Sequence, residues 1–479
     1  MSRSLREGPA PEGPFDVAVV GAGAVGCAVA RELTRYGASC ALVEAGPDVG
    51  AGTSKANTAI LHTGFDAKPG TIESRLVARG YELLGAYASE VGIPRATVGA
   101  LMVAWNREQR DALAGIEAKA RENGYGEARP VDADELYRRE PDLGPGAQGG
   151  LEVPGEGIVC PFTTTLALAS EALGGGCSVV LNAAVGGIRR SLSGDGYELD
   201  TARGPVRARC LVNAAGLRSD EVDAMLGGSG FRVRPRRGEL IVYDKLAREL
   251  INHVLLPVPT EKTKGVLVAP TVYGNVLLGP TADDIDDKTD RATTAAGLES
   301  LIEAGRRILP GLGEHEVTAT YVGLRAATEH RDYQLRVDPD RRYVCAGGIR
   351  STGITASLAI AEWTREALAS AGLDLDRSPA PTRQRMPNIG EFGIRPHQDA
   401  ELIGRDPEYG RIVCFCERVS RGEVRDALGS PIPPVDADGL RRRTRALMGR
   451  CQGFFCGAEI AAELSETEPA PDAKRRSRL

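Results

Sequence analysis

The order of apolar and polar residues predicts a βαβ unit near the start of the chain. Residues 16–20 (DVAVV) and 40–44 (CALVE) are continuous apolar runs, and apolar positions recur at helical spacing from Val25 to Tyr36. Continuous apolar runs of this length are typical of strands buried in a parallel sheet, and the stretch between them is long enough for a crossover helix. We therefore predict an α/β fold.

Short strand-like runs alternate with helical segments from about residue 150 to 345. The runs are GGLEV, SVVLNA, CLVNAA, ELIVYD and NVLLGP, which begin at residues 149, 178, 210, 239 and 275. A helix is predicted over 358–371, where LAIAEWTREALASA is amphipathic. With 479 residues the chain is long enough for two or three domains.

Composition marks the boundaries between five predicted segments. Residues 1–14 and 466–479 lack apolar runs and are predicted to be a disordered lead-in and tail. Residues 376–408, which contain RSPAPTRQRMPN, show little periodicity and are predicted to be a linker. The linker separates a large α/β region at 15–375 from a compact module at 409–465.

Charge and hydropathy narrow the class of protein. The formal net charge is −6, which argues against general nucleic-acid binding. No run approaches the roughly 18–20 apolar residues needed to span a bilayer, and the N-terminus has no apolar run like that of a signal peptide. We therefore expect a cytoplasmic protein with no transmembrane segment, whose contact with the inner face of the cell membrane, where there is any, is peripheral.

Three glycines follow the first strand at a spacing typical of dinucleotide-binding folds. Gly21 permits a tight turn, Gly23 lets the backbone approach a pyrophosphate, and Gly26 lets helix and strand pack closely. Glu44 ends the second apolar strand, where a carboxylate can accept hydrogen bonds from ribose hydroxyls. The strand, the glycines, the helix and the acid together predict nucleotide binding.

Later segments indicate FAD in preference to NAD, because an NAD enzyme typically completes its site within its first 150 residues. Residues 212–216 (VNAAG) form an apolar strand that ends in small residues suited to a second close approach to the nucleotide. Residues 347–355 (GGIRSTGIT) follow another strand and precede the predicted helix, whose N-terminus can stabilise negative charge on a reduced flavin. The candidate contacts in these segments are Ala215, Gly216, Gly348, Thr352, Gly353, Ile354 and Thr355.

At these segments the chain resembles the D-amino-acid-oxidase superfamily, most closely the branch of FAD-dependent glycerol-3-phosphate dehydrogenases and L-2-hydroxyglutarate oxidases. The motifs GTSKAN at 52–57, ILHTG at 60–64, VPGEG at 153–157 and YVGLR at 321–325 fit this resemblance, which spans about residues 15–370. It implies an FAD domain of glutathione-reductase type with an interleaved, mostly antiparallel substrate domain. It also implies FAD contacts from Thr53, Ser54, Lys55 and Asn57.

The resemblance places the substrate above the flavin and an arginine on its anionic group. Arg325 in YVGLR matches such an arginine, and Arg350 stands where the glycerol-phosphate enzymes tend to have a lysine; either could bind an anion in bidentate fashion or form an ion pair. His62 is a candidate base, electrostatic partner or structural hydrogen-bonder.

The segment after His62 departs from the glycerol-phosphate pattern, which tends to have an arginine there. Residues 65–70 are FDAKPG, and the KPG ending is more similar to the 2-hydroxyglutarate group. The substrate is therefore expected to be a small anionic hydroxy compound, either glycerol 3-phosphate-like or a 2-hydroxy acid. An amino-acid or amine dehydrogenase of the same superfamily is the alternative enzyme.

Four of the ten cysteines form two close pairs in the C-terminal module. Cys414 and Cys416 stand in CFC, and Cys451 and Cys456 stand in CQGFFC. Four thiolates can bind zinc or an iron–sulfur cluster, but zinc sites usually show two-residue gaps in both pairs. The module resembles the bacterioferritin-associated-ferredoxin-like domain, a small helical 2Fe–2S unit also found at the end of the anaerobic glycerol-3-phosphate dehydrogenase flavoprotein subunit.

The combination of FAD with a 2Fe–2S cluster indicates the direction of electron flow. A reduced flavin holds two electrons and the cluster takes one at a time, so the cluster can pass them singly to a quinone or a protein acceptor. The alternative from another class is a non-catalytic electron-transfer subunit of a larger complex, with partner subunits that supply the chemistry.

Overall fold

The computed structural model describes residues 5–191, 195–259, 265–375 and 383–467. The chain divides after Phe392 into two compact units, here called the first unit and the second unit. The described strands, in chain order, are β1 (Phe15–Val20), β2 (Cys40–Val43), β3 (Ile60–Leu61), β4 (Arg95–Thr97), β5 (Ala100–Val103), β6 (Arg129–Val131), β7 (Gly150–Val153), β8 (Gly157–Val159), β9 (Ser178–Val180), β10 (Val185–Arg190), β11 (Tyr197–Thr201), β12 (Gly204–Asn213), β13 (Arg236–Tyr243), β14 (Val254–Pro257), β15 (Leu267–Pro270), β16 (Val276–Gly279), β17 (Asp283–Asp284), β18 (Val317–Arg325), β19 (Gln334–Asp338), β20 (Tyr343–Gly347), β21 (Ile412–Cys414) and β22 (Val419–Ser420).

Two of the α-helices that the structure describes were predicted with a range from the sequence, one near residues 25–36 and one near 358–371. In chain order the described α-helices are α1 (Ala24–Arg35), α2 (Ile72–Val91), α3 (Arg107–Glu122), α4 (Ala133–Arg139), α5 (Pro161–Gly174), α6 (Ser219–Met225), α7 (Ala295–Ile308), α8 (Gly353–Ser370), α9 (Ala400–Arg405), α10 (Arg421–Leu428), α11 (Ala437–Thr444) and α12 (Gly457–Thr467). None of the helices in the described part of the chain is long and apolar enough to cross a membrane.

A sheet with a parallel centre brings four strand ends to one edge of the first unit. β1 runs parallel to β2 on one side and to β12 on the other, and β12 runs parallel to β20. Val20 pairs with Val43 and Asn213, and Asn213 pairs with Cys345. The carboxyl ends of these strands therefore lie side by side, which is where open α/β sheets bind ligands.

A second sheet of the first unit is mostly antiparallel, as predicted. Among the described residues its strands follow the order β17-β13-β16-β15-β14-β5-β7-β6, and β18 pairs with β13 on the other side. The ladder between β13 and β18 places Arg236 opposite Arg325. A short sheet of β3, β8 and β4 completes this part of the fold.

Helix α8 begins five residues earlier than the pattern predicts, at Gly353. It packs against α1 and α2, and residues 354–361 are all buried. A helix turn that is buried on every side shows no amphipathic period, so the pattern starts only where one face becomes exposed.

The predicted disordered lead-in is wrong for its described residues. Leu5 and Ala10 are buried, and the amide of Ala10 donates to the carbonyl of Arg203 at 2.7 Å. The guanidinium of Arg203 in turn donates to the carbonyls of Leu5, Glu7 and Gly8. A segment without apolar periodicity is thus ordered by hydrogen bonds to one distant arginine, which sequence patterns do not reveal.

The predicted linker is also divided by the structure. Residues 383–392 belong to the first unit, where the Arg383 guanidinium is 2.9 Å from Glu171 and the amide of Met386 donates to Val91 at 2.7 Å. Residues 393–408 belong to the second unit and include α9. A helix of six residues is too short for a periodic signal. Residues 376–382 and 468–479, which carry part of the linker and tail predictions, lie outside the described residues.

Candidate functional site

The glycine turn after β1 closes only without side chains. Gly21 has φ +103°, and a Cβ on Gly26 would lie 1.8 Å from the carbonyl oxygen of Gly21. Glu44, at the end of β2, accepts hydrogen bonds from the amides of Ala22 (2.7 Å) and Gly46 (2.8 Å). Burial raises the pKa of Glu44, although these amides act in the opposite direction. The carboxylate therefore lies against the turn where a nucleotide ribose would be bound.

The segment at 53–57 lies beside this turn. The Ser54 hydroxyl accepts a hydrogen bond from the amide of Ala24 (2.9 Å), at the N-terminus of α1, and would contact a Cβ on Gly23 at 3.2 Å. The Thr53 hydroxyl donates to the carbonyl of Leu324 at 3.0 Å. The dipole of α1 thus ends at a polar cradle suited to a pyrophosphate.

The two predicted amine and amide contacts of that segment differ in their surroundings. Lys55 is partly buried in the short helical turn Thr53–Lys55. The Asn57 side chain donates to the carbonyl of Ser54 (2.8 Å) and accepts from the amide of Ala59 (2.7 Å), so it holds the local turn. A contact between Asn57 and FAD would have to use the backbone or replace one of these bonds.

The later cofactor segments reach the same edge of the sheet. After β12, Ala215 donates its amide to the Asn213 side chain (3.2 Å), and Gly216 takes φ +57°. After β20, Gly348 takes φ +61°, which an L side chain rarely adopts. The glycines of these turns therefore allow the backbone to approach a flat cofactor closely.

The first turn of α8 faces the short sheet that carries His62. It contains Gly353, Ile354 and Thr355, and the Thr355 hydroxyl accepts the amide hydrogen of His62 at 3.1 Å. The N-terminus of this helix therefore lies next to His62.

A cavity of about 260 Å³ lies between these segments and the antiparallel sheet. Its walls include the three predicted catalytic residues together with residues from the cofactor segment and from β13. The polar lining residues of most interest are Thr53, Asn57, His62, Arg236, Arg325 and Arg350. The fold thus brings His62, Arg325 and Arg350 to one pocket from three distant parts of the chain.

Arg325 is a pocket cation without a carboxylate partner among the described residues. Its two terminal nitrogens each lie 3.4 Å from the carbonyl oxygen of Thr281. Burial, and then the nearby charge of Arg236, lower the pKa of Arg325 to about 10. Arg236 itself is paired with both oxygens of Asp284, at 2.7 and 3.0 Å. An anion in the pocket would supply the negative partner that the guanidinium of Arg325 lacks among the described residues.

Arg350 has a partner, in contrast. Its guanidinium lies 3.0 Å from a carboxylate oxygen of Glu73 and donates to the carbonyl of Arg331. The other oxygen of Glu73 accepts the Thr352 hydroxyl at 2.8 Å. Of the two readings that the sequence left open, the structure shows the ion pair, and a role of Arg350 in substrate binding stays a prediction.

Sequence reasoning missed Glu156 and Arg236. The Glu156 carboxylate is fully buried and lies 3.2 Å from Nδ1 of His62. The only signal for Glu156 was the VPGEG motif, which we used for the resemblance without giving the acid a role. Arg236 stands in the basic run RPRRGEL, which by sequence alone resembles a solvent-exposed strand. Its position at the pocket follows from the pairing of β13 with β18.

The four clustered cysteines of the second unit come together as two thiol pairs. Cys414 and Cys456 lie in one buried apolar cluster, and Cys416 packs against it. The charge of Cys456 acts on the pKa of Cys414, and the charge of Cys451 acts on that of Cys416. Burial raises the pKa of Cys414 to about 11, whereas amide donors, led by that of Phe455, lower the pKa of Cys451. No three His, Cys, Asp or Glu side chains in the described residues converge on one ion position. Two thiolates for each of two irons fit this arrangement.

The arginines between the cysteine pairs hold the second unit together. Arg443 donates to the carbonyl of Ile432 (2.7 Å), Arg442 is paired with Asp438, and Arg445 lies 3.2 Å from Glu417. All three arginines are buried. These three arginines therefore have structural partners within the second unit.

Comparisons with known proteins agree with both halves of this description. Residues 16–367 match the family of FAD dependent oxidoreductases, and residues 412–466 match the BFD-like [2Fe-2S] binding domain. The chain therefore belongs to the FAD-dependent oxidoreductases, and its cofactors are FAD in the first unit and a 2Fe–2S cluster in the second. The predicted fold class and both predicted cofactors are confirmed.

Individual relatives narrow the class further. The chain is 33% identical to a glycerol 3-phosphate dehydrogenase of Caloramator mitchellensis, over 95% of this chain and 96% of that protein. It is 28% identical to the L-2-hydroxyglutarate dehydrogenase of Escherichia coli K12, over 56% of this chain and 64% of the relative. The FAD-bound L-α-glycerophosphate oxidase of Mycoplasma pneumoniae superposes with a TM-score of 0.73 at 29% identity, covering 79% of this chain and all of that structure. The chain is thus a glycerol-3-phosphate dehydrogenase-like oxidoreductase.

Proposed function

We propose that this chain oxidises a small anionic hydroxy compound and passes the electrons through its 2Fe–2S cluster to a quinone or a protein acceptor. sn-Glycerol 3-phosphate is the first candidate substrate, and 2-hydroxy acids such as L-2-hydroxyglutarate are the second. The observation that carries the proposal is Arg325, a partly buried cation that has no carboxylate partner in the described residues and lines the same pocket as His62.

Arg325 suits an anionic group better than a neutral one. A guanidinium held away from water loses part of its hydration, and its lowered pKa of about 10 reflects that cost. A phosphate or carboxylate would restore the missing interactions through two parallel, charge-assisted hydrogen bonds. The remaining bonds of Arg325, at 3.4 Å to Thr281, are long enough to give way to such a ligand.

Two observations favour the phosphate over the carboxylate. The relative named glycerol 3-phosphate dehydrogenase matches nearly the whole chain, including the cysteine module, whereas the 2-hydroxyglutarate relative matches 56% of it. The KPG segment that resembles the 2-hydroxyglutarate group also lies largely outside the pocket. Phe65 and Asp66 line the pocket, but Lys68 is exposed to solvent.

The pocket residues supply the proton chemistry of an alcohol oxidation. Bound FAD supplies the oxidant that takes a hydride from the substrate carbon. Arg325 holds the anionic end of the substrate, and His62 is positioned to take the hydroxyl proton. The glycines after β1 and β12 and the first turn of α8 would hold the cofactor next to His62.

The second unit is suited to passing electrons to an external acceptor. Cys416 and Cys451 are partly exposed, and the side chains of Phe415 and Phe454 beside them are 69% and 85% exposed. Exposed aromatic residues of this kind are typical of contacts with a partner. Direct reaction of the flavin with oxygen would need no such cluster.

Anaerobic bleaching of the flavin tests the substrate. We expect sn-glycerol 3-phosphate to bleach the 450-nm region that is typical of oxidised flavins, with L-2-hydroxyglutarate weaker and the enantiomer sn-glycerol 1-phosphate as the matched control. Bleaching by amino acids alone would favour the amine dehydrogenase. Bleaching by dithionite but by none of the organic compounds would favour the electron-transfer subunit.

A further inference from the structure

Glu156 and His62 face each other because of the strand register next to the pocket. β3 and β8 are antiparallel, with Leu61 opposite Gly157. His62 follows Leu61 and Glu156 precedes Gly157, so the two residues come opposite each other just beyond the ladder. Oε2 of Glu156 lies 3.2 Å from Nδ1 of His62, and no part of Glu156 is exposed.

We propose that Glu156 is a positioning residue that sets the tautomer of His62. A carboxylate can only accept, so the hydrogen of the neutral imidazole must lie on Nδ1. Nε2 is then the nitrogen with a free lone pair, available to a substrate in the pocket that His62 lines. This inference rests on the proposed function and assigns within it how the base is kept ready.

Three donors fix the orientation of the Glu156 carboxylate. Oε1 accepts the amide hydrogen of Thr63 at 2.6 Å and the Thr63 hydroxyl at 2.8 Å. With Oε1 held by two donors, Oε2 remains for Nδ1 of His62. The carboxylate therefore cannot rotate away from the imidazole without losing both bonds to Thr63.

The backbone that carries Glu156 is held as well. The Tyr81 hydroxyl donates to the carbonyl of Gly155 at 2.7 Å, and the amide of Gly155 donates to the Tyr125 hydroxyl at 2.8 Å. Burial raises the pKa of Tyr81 and raises that of Tyr125 to about 12, so both phenols keep their hydrogens at neutral pH. Such support is needed where a functional group must keep one position.

Each proton and electron that leaves the substrate has an acceptor in the proposed reaction. The substrate alcohol loses its hydroxyl proton to Nε2 of His62, and the hydrogen on the same carbon leaves as a hydride, with two electrons, to FAD. The C–O single bond becomes a carbonyl, and the new imidazolium lies against the negative charge of Glu156. The carboxylate thus stabilises the protonated state that forms during the reaction, as an acid behind a histidine does in other enzymes.

The variant Glu156→Gln reverses the tautomer with almost no change in shape. The two Thr63 donors require an acceptor, so they take the amide oxygen of the new glutamine. The NH₂ group then faces Nδ1 of His62 and donates to it, which moves the imidazole hydrogen to Nε2. We expect kcat to fall by about 10²–10⁴-fold, the usual contribution of a general base, while KM and FAD content change little.

¹⁵N NMR of histidine-labelled protein reads the tautomer directly, without turnover. The chain has five histidines, and a His62→Gln variant identifies the signal of His62. The wild type should show hydrogen on Nδ1, and Glu156→Gln should show it on Nε2. Hydrogen on Nε2 in the wild type would overturn the assignment, and this measurement stands even where the variant does not fold.

A second histidine that lies against a fully buried glutamate provides the matched control. Glu140 is fully buried and lies 2.7 Å from Nδ1 of His253, and neither residue lines the pocket. Glu140→Gln should lower the melting temperature to a similar extent but leave kcat unchanged. An equal loss of kcat in both variants would show that Glu156 acts through stability alone. Failure of every substrate to bleach the flavin would refute the proposed function, yet the NMR result would still decide the role of Glu156.

Discussion

The pocket of the first unit and the cysteine cluster of the second unit are built in opposite ways. Around the pocket, His62, Glu156 and Arg325 are separated along the chain by intervals of 94 and 169 residues, and they come together only because two sheets are folded. In the second unit, the cysteines stand two by two in short motifs of the sequence, CFC and CQGFFC. Metal ligation can be encoded by short motifs, whereas the proposed base and the proposed anion site depend on long-range packing.

The arginines of the two units also differ in the partners of their guanidinium groups. In the second unit Arg442 and Arg445 are each paired with an acid, and Arg443 donates to backbone carbonyls. Among the residues that the structure describes, Arg325 in the first unit has only long bonds to one carbonyl. A buried cation with a structural role is normally satisfied by the protein itself. The difference supports the proposal that the partner of Arg325 is a ligand.

The strongest test of this comparison is to remove one cofactor and keep the other. In Gly26→Ala the new Cβ would lie 1.8 Å from a backbone oxygen, so strand and helix cannot pack as they do. We expect the flavin content to fall at least about tenfold, because a shift of this turn opens the phosphate cradle, while the iron content stays. Gly85→Ala, where nothing lies within 4 Å, is the matched control. Stoichiometric FAD in Gly26→Ala would contradict the assigned cradle.

The reciprocal change is Cys451→Ser, which removes one thiolate of the cluster. Hydride transfer needs only the substrate, FAD and nearby side chains, so the substrate should still bleach the flavin in a single turnover. Steady-state turnover with a quinone analogue should fall to the background rate, because the one-electron exit is lost. Iron and sulfide analysis of both proteins accompanies the assay. Full steady-state activity in Cys451→Ser would exclude the relay.

A smaller loss is expected from Arg325→Ala. Removal of a charged hydrogen-bond partner of the substrate should cost about 2–4 kcal/mol of transition-state stabilisation, a fall of roughly 30- to 1,000-fold in kcat/KM. FAD should remain bound. Arg189→Ala, which breaks an exposed ion pair with Glu198, serves as the control. An unchanged kcat/KM in Arg325→Ala would return this arginine to a structural role.

The smallest effect is expected from Arg350→Met. This arginine is already paired with Glu73 and is partly exposed, so its loss should cost about 1 kcal/mol or less. The same kcat/KM assay measures it. A loss as large as that of Arg325→Ala would show that Arg350 leaves Glu73 to bind the substrate anion, and the two arginines would then share one ligand.

Local signals in the sequence were enough to predict much of the fold. The runs DVAVV and CALVE became β1 and β2. GGLEV, SVVLNA and NVLLGP each contain a strand of the structure, and CLVNAA and ELIVYD cover the ends of β12 and β13. These elements are readable because each buries its own apolar residues with a fixed period. The order of the lead-in was missed because it depends on hydrogen bonds to Arg203, which produce no periodic pattern of apolar residues. Helix α9 was missed because six residues are too few to show such a pattern.

What the sequence by itself determined are the features carried by neighbouring residues: the glycine turn at 21–26, the paired cysteines, and with them both cofactors. Only the tertiary structure decided which charged groups face one another. It gave Arg325 no carboxylate partner among the described residues, paired Arg350 with Glu73, and placed Glu156 behind His62. The reason is physical: the ionic partner of a side chain is chosen by strand register and burial, which no local pattern of residues encodes.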